Sequence, residues 1–278
     1  MESENNILNM YYASLNSGSN GNCYYISNEQ ESILIDAGLS CRETEKRLQA
    51  LGESIKKIKA IFISHEHTDH IKGVQALSTK FHLPVYISEK TLHRSRLQIE
   101  KQFIRYLNPD EPIRIGNLFV KGFSKKHDAA DPYSFIVSNE TYTIGIFTDI
   151  GSVCENVKTH FNKCHAAFLE ANYDETLLET GPYPIHLKNR IKSDSGHLSN
   201  LQALELFTNH RSSFLSHLLL SHISQENNHP DIIKTTFQNS EGIKIEIASR
   251  TKETPLFTID TANKKTAARN NSLQLPLF

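Results

Sequence analysis

The chain has 278 residues, which suits one α/β domain or two small ones with a sizeable core. At 38% hydrophobic and 22% charged residues it has the composition of an ordinary globular protein, and no window approaches the roughly 18 unbroken apolar residues of a membrane span. The formal net charge of −1 excludes a protein that holds nucleic acid by bulk positive charge, but not one with a local basic groove or one delivered by a partner. The first ten residues, MESENNILNM, are polar and acidic, unlike a secretory signal or a transit peptide. Cys23, Cys41, Cys154 and Cys164 are widely spaced with no C-x-x-C, which argues against a disulfide scaffold and against a thiolate zinc site. A cytoplasmic protein is expected. Fourteen histidines against four cysteines make metal ligation the first chemistry to consider.

In chain order, strand-length runs rich in β-branched and aromatic residues fall at 10–15, 23–26, 32–36, 59–64, 84–88, 113–123, 134–138, 142–149, 166–170, 214–221, 242–248 and 256–259. Asn20-Gly21, between the first two runs, predicts a hairpin, because both central residues of a type I′ turn need positive φ. That turn by itself accounts for the Gly/Ser/Asn-rich stretch 17–22, which could otherwise offer backbone N–H groups to a phosphate. Helical spacing appears at 42–51 before Gly52, and at Val74, Leu77 and Phe81 after Gly73. Ser199-x-x-Gln202 predicts a capping box opening a helix with Leu201, Leu204 and Phe207 inside. Pro230 suits the first turn of another, with Ile232, Ile233 and Phe237 inside. The pattern predicts one strand-rich α/β domain over residues 1–260 and a polar tether from 261 leading into the tail, 261–278.

The sharpest local feature is Ser64-His65-Glu66-His67-Thr68-Asp69-His70, at the end of a buried strand. His65 and His67, two apart in extended chain, can point the same way, and Asp69 and His70 follow where the chain turns. Imidazoles and carboxylates without thiolates suit a catalytic site with open positions for Zn²⁺, Mn²⁺ or Fe²⁺. His127, Asp149 and His222 each lie at or beyond the end of another strand run, where an open α/β sheet collects its ligand sites.

H-x-H-x-D-H followed by strand-end His, Asp and His resembles the metallo-β-lactamase-fold hydrolases. The resemblance implies a four-layer αβ/βα sandwich of two mixed sheets flanked by helices, with a dinuclear site at one edge. It implies two divalent ions, zinc first among candidates with manganese or iron as alternatives. His65, His67 and His127 would hold one ion, Asp69, His70 and His222 the other, with Asp149 bridging. The segments 14–22 (SLNSGSNGN), 35–40 (IDAGLS), 127–129 (HDA), 169–174 (LEANYD), 183–191 and 196–200 (GHLSN) are similar to the YycJ (WalJ) subgroup, although Tyr173 stands where that subgroup more often has histidine. That likeness implies a 5′-to-3′ DNA exonuclease of mismatch repair.

Two ions a few ångströms apart acidify a water between them and brace both oxygens of an in-line displacement, which suits phosphodiester hydrolysis. Asp69 is the candidate to ligate and also to orient or deprotonate that water. Asp36, at a strand end, either orients a ligand imidazole or merely shapes the turn before Gly38. His197, just before a helix start, either contacts the scissile phosphate or protonates the leaving oxygen, or else packs against the helix. Lys188, Arg190 and Lys192, and on the other side Lys121, Lys125 and Lys126, are candidate phosphate contacts or solvated charge. The remaining eight histidines and the four cysteines read as structural or exposed. An RNA-processing nuclease, or a small-molecule ester or thioester hydrolase, would use the same ligands. A binding protein with a structural metal is the non-enzymatic alternative.

The chain ends in Gln274-Leu275-Pro276-Leu277-Phe278, which resembles the Q-L-x-L-F peptide that docks on the bacterial sliding clamp. An extended apolar peptide stiffened by Pro276 can seat Leu275, Leu277 and Phe278 in a groove at small entropy cost. Packing of the tail on its own domain is the alternative. Clamp delivery would supply the DNA proximity that a net charge of −1 does not.

Overall fold

The computed structural model describes residues 9–259; the tail peptide Gln274 to Phe278 lies outside them. In chain order come β1 (Met10–Asn16), β2 (Cys23–Ser27), β3 (Ser32–Ile35), α1 (Cys41–Ala50), β4 (Ile58–Phe62), α2 (Thr68–Ile71), α3 (Val74–Phe81), β5 (Val85–Ile87), α4 (Glu89–Ser95) and β6 (Ile104–Tyr106). A second series follows: β7 (Pro112–Ile115), β8 (Leu118–Ser124), β9 (Tyr133–Ser138), β10 (Thr143–Phe147), α5 (Glu155–Phe161), β11 (Ala166–Glu170), α6 (Glu175–Thr180), α7 (Ile185–Lys192), α8 (Asn200–His210), β12 (His217–Ser221), α9 (Pro230–Thr236), β13 (Lys244–Ile247) and β14 (Phe257–Ile259).

The strands form two seven-stranded sheets, β14-β1-β2-β3-β4-β5-β6 and β13-β12-β11-β10-β9-β8-β7. Each is an antiparallel meander that continues into parallel strands. β1 to β3 are antiparallel and β3 to β6 parallel, while β7 to β10 are antiparallel and β10 to β13 parallel. Helices cross between the parallel strands, as right-handed connections require.

Side-chain alternation explains the layering. Tyr24 and Ile26 of β2, Ile33 and Ile35 of β3, and Ala60 and Phe62 of β4 join Phe135, Ile146 and Phe168 in a core between the sheets. Their neighbours Tyr25, Leu34 and Ile61 face the opposite way, onto Leu48 of α1 and Val74 and Leu77 of α3. On the second sheet Leu169, Leu218 and Leu220 pack on Phe161, Leu206, Phe207 and Ile233. Both faces of each sheet are covered, so the strands read as near-continuous apolar runs. The expected four-layer sandwich of two mixed sheets flanked by helices is what the chain forms.

Several local expectations need correction. β1 and β2 do pair antiparallel, but six residues, 17–22, join them. Gly18 and Gly21 take positive φ (134° and 153°) and Asn20 does not, so this is no two-residue I′ turn. The two-residue hairpin lies inside the run 113–123, where Gly116 (φ 58°) and Asn117 separate β7 from β8 and glycine supplies the positive φ. The capping box at Ser199 and Gln202 is present, but Leu201 is 57% exposed; Ala203, Leu206 and Phe207 form the inner face of α8. Phe214, expected in a strand, precedes β12 and is 47% exposed. No helix among the described residues is long and apolar enough to cross a membrane.

Candidate metal centre

Six strands, drawn from both sheets, end at a single cluster. Asp36 follows β3, Ser64 to His70 follow β4, His127 follows β8, Asp149 follows β10, Glu170 ends β11 and His222 follows β12. Asp36, Asp149 and His222 have positive φ (58°, 54° and 55°), an uncommon conformation that turns the chain sharply out of the strand.

The structure brings together all seven expected ligands. His65, His67 and His127 form one group and Asp69, His70 and His222 a second, with candidate ligand atoms in each within 4.8 Å of one another. Asp149 lies between them: Oδ2 is 3.2 Å from His70 Nε2, while Oδ1 is 3.3 Å from His222 Nε2 and 3.7 Å from His127 Nε2. That is a bridging position.

Hydrogen bonds on the far side of the rings select which nitrogen faces the cluster. Buried Asp36 accepts from Ser64 N (2.8 Å), from Ser64 Oγ (2.7 Å) and from His70 Nδ1 (2.7 Å). Because the Ser64 hydroxyl proton goes to Asp36, its oxygen accepts from His65 Nδ1 at 2.9 Å, so that His65 Nε2 is unprotonated and faces the cluster. His127 Nδ1 donates to Gly196 O (3.1 Å) and His222 Nδ1 to Glu170 Oε1 (3.1 Å). His67 turns Nδ1 inward, 3.0 Å from His65 Nε2. Of the two readings of Asp36, the ligand-orienting one fits.

Burial pushes the His65 imidazole well below its ordinary range and His127 down to about 3, so these rings are neutral donors. The second group is the reverse. Although burial opposes it, Asp149, Asp69 and Glu170 raise His222 to about 10, and Asp149 and Asp36 hold His70 well above its usual value. His222 Nε2 and Asp149 Oδ2 are buried and make no hydrogen bond. Converging imidazole nitrogens and unsatisfied carboxylate oxygens are costly unless a cation sits among them, so the donor set fits divalent ions.

Glu170 was not expected from sequence. It is fully buried; Oε1 accepts from His197 Nδ1 (2.7 Å) and His222 Nδ1, and Oε2 from Ile150 N (2.7 Å). Burial opposes its ionisation, yet His197 and His222 hold its carboxyl down to about 2. His197 stacks on His222 (ring centroids 5.2 Å, interplanar 27°) and its side chain is 20% exposed. It therefore stands beside the cluster and within reach of solvent, not packed away against α8. The loop 17–22 is also part of the site. Asn22 Nδ2 donates to Asp69 Oδ2 (3.1 Å) and lies 3.0 Å from His70 Nε2, while Ser17 Oγ accepts from His222 N (2.7 Å).

The expected phosphate contacts fare differently. Lys188 Nζ donates to Glu179 O (2.6 Å) and Lys192 pairs with the Glu179 carboxylate, so both serve to tie α7 to α6. Arg190 pairs with Asp128 at 2.5 Å; Asp128 Oδ1 in turn is 3.4 Å from His127 Nε2. Lys121 pairs with Asp110. Lys125 is no groove-lining lysine: it is buried, its Nζ donating to Thr148 O (2.6 Å) beneath the cluster, and burial lowers its pKa. Lys126 is exposed. All four cysteines are free.

The family model of the metallo-beta-lactamase superfamily matches residues 17–178. The chain belongs to that superfamily. It is a hydrolase with a His/Asp site for divalent metal ions. Within the superfamily it falls in the YycJ-type subgroup. It is 32% identical over 232 residues to exodeoxyribonuclease YycJ of Bacillus anthracis, covering 82% of this chain and 87% of that protein. It is 30% identical over 233 residues to exodeoxyribonuclease WalJ of Streptococcus pneumoniae, with the same coverage. Among solved structures, the metallo-beta-lactamase fold protein YhfI from Bacillus subtilis superposes with a TM-score of 0.71 at 16% identity, covering 91% of this chain and all of that one.

Proposed function

We propose that the protein is a metal-dependent DNA exonuclease that hydrolyses phosphodiester bonds at a dinuclear centre, zinc being the first candidate. One observation carries the reading: all seven ligand side chains converge, with Asp149 between the two groups, in a chain alike over most of its length to proteins named exodeoxyribonucleases.

A pair of divalent ions, when bound, supplies an acidified water and a positive brace for the phosphate oxygens. Asp69 is the proton acceptor. Burial opposes its ionisation, but His70 and His222 lower its pKa, and Asn22 fixes its Oδ2. Water attacks phosphorus and gives its proton to Asp69 as the P–O bond to the leaving nucleotide breaks. His197, aligned through Nδ1 by ionised Glu170, supplies a proton to the departing oxygen from its other nitrogen. Arg190, fixed by Asp128 beside His127, stands at the edge of the first metal group.

A 5′-to-3′ polarity and a role in mismatch repair go with the YycJ resemblance. The C-terminal Gln274, Leu275, Leu277 and Phe278 are assigned to docking on the bacterial sliding clamp, on the strength of the peptide itself and the polar stretch before it. Deleting 274–278 should abolish clamp binding while cleavage of free oligonucleotides continues. Clamp affinity that survives the deletion would remove this assignment.

The test is digestion of 5′- and 3′-labelled DNA, single- and double-stranded, with matched RNA, by metal-defined enzyme beside an Asp69→Ala variant. Stepwise, metal-dependent loss from DNA 5′ ends, absent in the variant, is expected. Faster RNA cleavage, or no cleavage of any nucleic acid with metal bound, would refute the reading.

A further inference from the structure

Apart from exposed Lys126, the basic residues considered so far are already committed. Lys188 and Lys192 bond to Glu179, Arg190 to Asp128, Lys121 to Asp110, and Lys125 is buried on a carbonyl. Arg250, just after β13, differs from these. Its Nη1 donates to Ile223 O (3.1 Å) and its Nη2 to Ser19 Oγ (3.3 Å), both neutral acceptors. A guanidinium has five N–H donors. These two bonds leave the remainder available, and among the described residues no ion pair holds the group.

Those same bonds tie Arg250 to two segments that carry or hold the candidate metal ligands. Ile223 follows the ligand His222, and Ser19 belongs to the loop whose Asn22 holds Asp69 and His70. Two further bonds lock the arginine's backbone to that loop: Asn20 Nδ2 donates to Arg250 O (2.7 Å) and Ser17 N to Ser249 O (3.1 Å). Gly18 leaves room for the side chain, since a Cβ there would come within 3.1 Å of Arg250 Cγ and 3.2 Å of Nη1. Burial lowers the Arg250 pKa, and the charges of Tyr183, Glu226 and Asp69 oppose that lowering. Arg250 also borders a cleft of about 830 Å³, whose wall includes Ile223, Ser224, Lys234 and Lys252.

We propose that Arg250 is a substrate-binding residue: its guanidinium holds a phosphate next to the scissile one, on the Asp69/His222 side of the metal centre, where the strand runs on into this cleft. The inference rests on the nuclease reading for the identity of the ligand, a single nucleic-acid strand. A guanidinium prefers phosphate because its planar fork can donate two parallel charge-assisted bonds.

The test is equilibrium binding of a fluorescent, cleavage-resistant phosphorothioate DNA strand to metal-loaded enzyme as a function of salt, for wild type, Arg250→Gln and Arg250→Lys. Loss of one phosphate contact should weaken binding about tenfold or more and lower the log–log salt slope by about 0.7 in the Gln variant. The Lys variant should recover most of that slope. In turnover, Arg250→Gln should raise KM far more than it lowers kcat. An unchanged salt slope in folded, fully metal-loaded Arg250→Gln would overturn the proposal, as would a loss of slope that Arg250→Lys fails to recover. The nuclease reading fails separately, through absence of wild-type cleavage. Arg250-dependent strand binding without cleavage would leave this contact standing and discard that reading.

Discussion

Gly38 is the position at which the fold leaves least room beside the metal ligands. Its φ is not positive, so glycine is needed there for close approach and not for a turn. A Cβ would stand 1.7 Å from Asp69 O, 2.5 Å from Asp69 C and 2.6 Å from Asn22 N, all backbone atoms. Opening the first contact only to 3.0 Å takes a movement of about 1.3 Å, more than twice the ~0.5 Å tolerance of a working ligand set. The movement also stretches two backbone hydrogen bonds, Asn22 N to Asp69 O (2.6 Å) and Gly38 N to Asn22 O (2.8 Å). At about 1 kcal/mol for each bond and 1–3 kcal/mol for overpacking, Gly38→Ala should cost about 3–5 kcal/mol. The displaced stretch is the end that carries Asp69 and His70 and bonds Asn22, whereas His127 lies on another segment and His65 and His67 stand two or more residues nearer β4. The account therefore expects the variant to lose affinity for one ion at least a hundredfold and to keep the other. Denaturant unfolding gives the first number, and elemental analysis after graded chelation gives the second. A Gly38→Ala protein with wild-type stability and two tightly held ions would refute the packing argument.

Three further outcomes follow from the same geometry. Asp36→Asn keeps the shape but removes the charge that Ser64 and His70 share, so metal affinity should fall about 10–100-fold in chelator competition. Unchanged affinity would mean that Ser64 alone positions the rings. Glu170→Gln unfixes His197 and His222 together, so kcat should fall and one ion should be held more weakly; a variant with normal turnover would remove the proton-donor role of His197. His70 and His222 sit above neutrality in the metal-free protein, so ions must displace their protons. Calorimetry in two buffers at pH 7.5 should report release of about two protons on full loading, with affinity weakening as pH falls; zero release would contradict the protonation assigned to this pair.

The ligand set was legible because four ligands sit within six residues of a strand end, and because His127, Asp149 and His222 sit at or just beyond strand ends in the same way. Glu170 ends the run 166–170 as Asp149 ends 142–149 and lies in the YycJ-like stretch 169–174, so the signal was there, but no role was read from it. Ser17, Asn22, Asp128 and Arg250 were not readable as site residues, because their roles come from pairings across the fold. Ser17 meets His222 across 205 positions, and Arg250 meets Ser19 across 231. The stretch 17–22 was misassigned for a related reason. Asn-Gly is a local turn signal, but the loop's shape is set by Asp69 and Gly38 packing on it from elsewhere. Leu201 satisfied helical spacing from the cap, yet contact with the sheet rotated the inner face onto Ala203, Leu206 and Phe207.

The central claim is that two metal groups bridged by Asp149 act as one hydrolytic centre on DNA. The most direct measurement adds metal stepwise to metal-free protein while following release of nucleotides from a labelled DNA strand. The account predicts little hydrolysis up to one equivalent and a steep rise to a plateau at two, with no rise in Asp149→Ala. Full activity at one equivalent, or two bound equivalents with no nucleotide released, would contradict it.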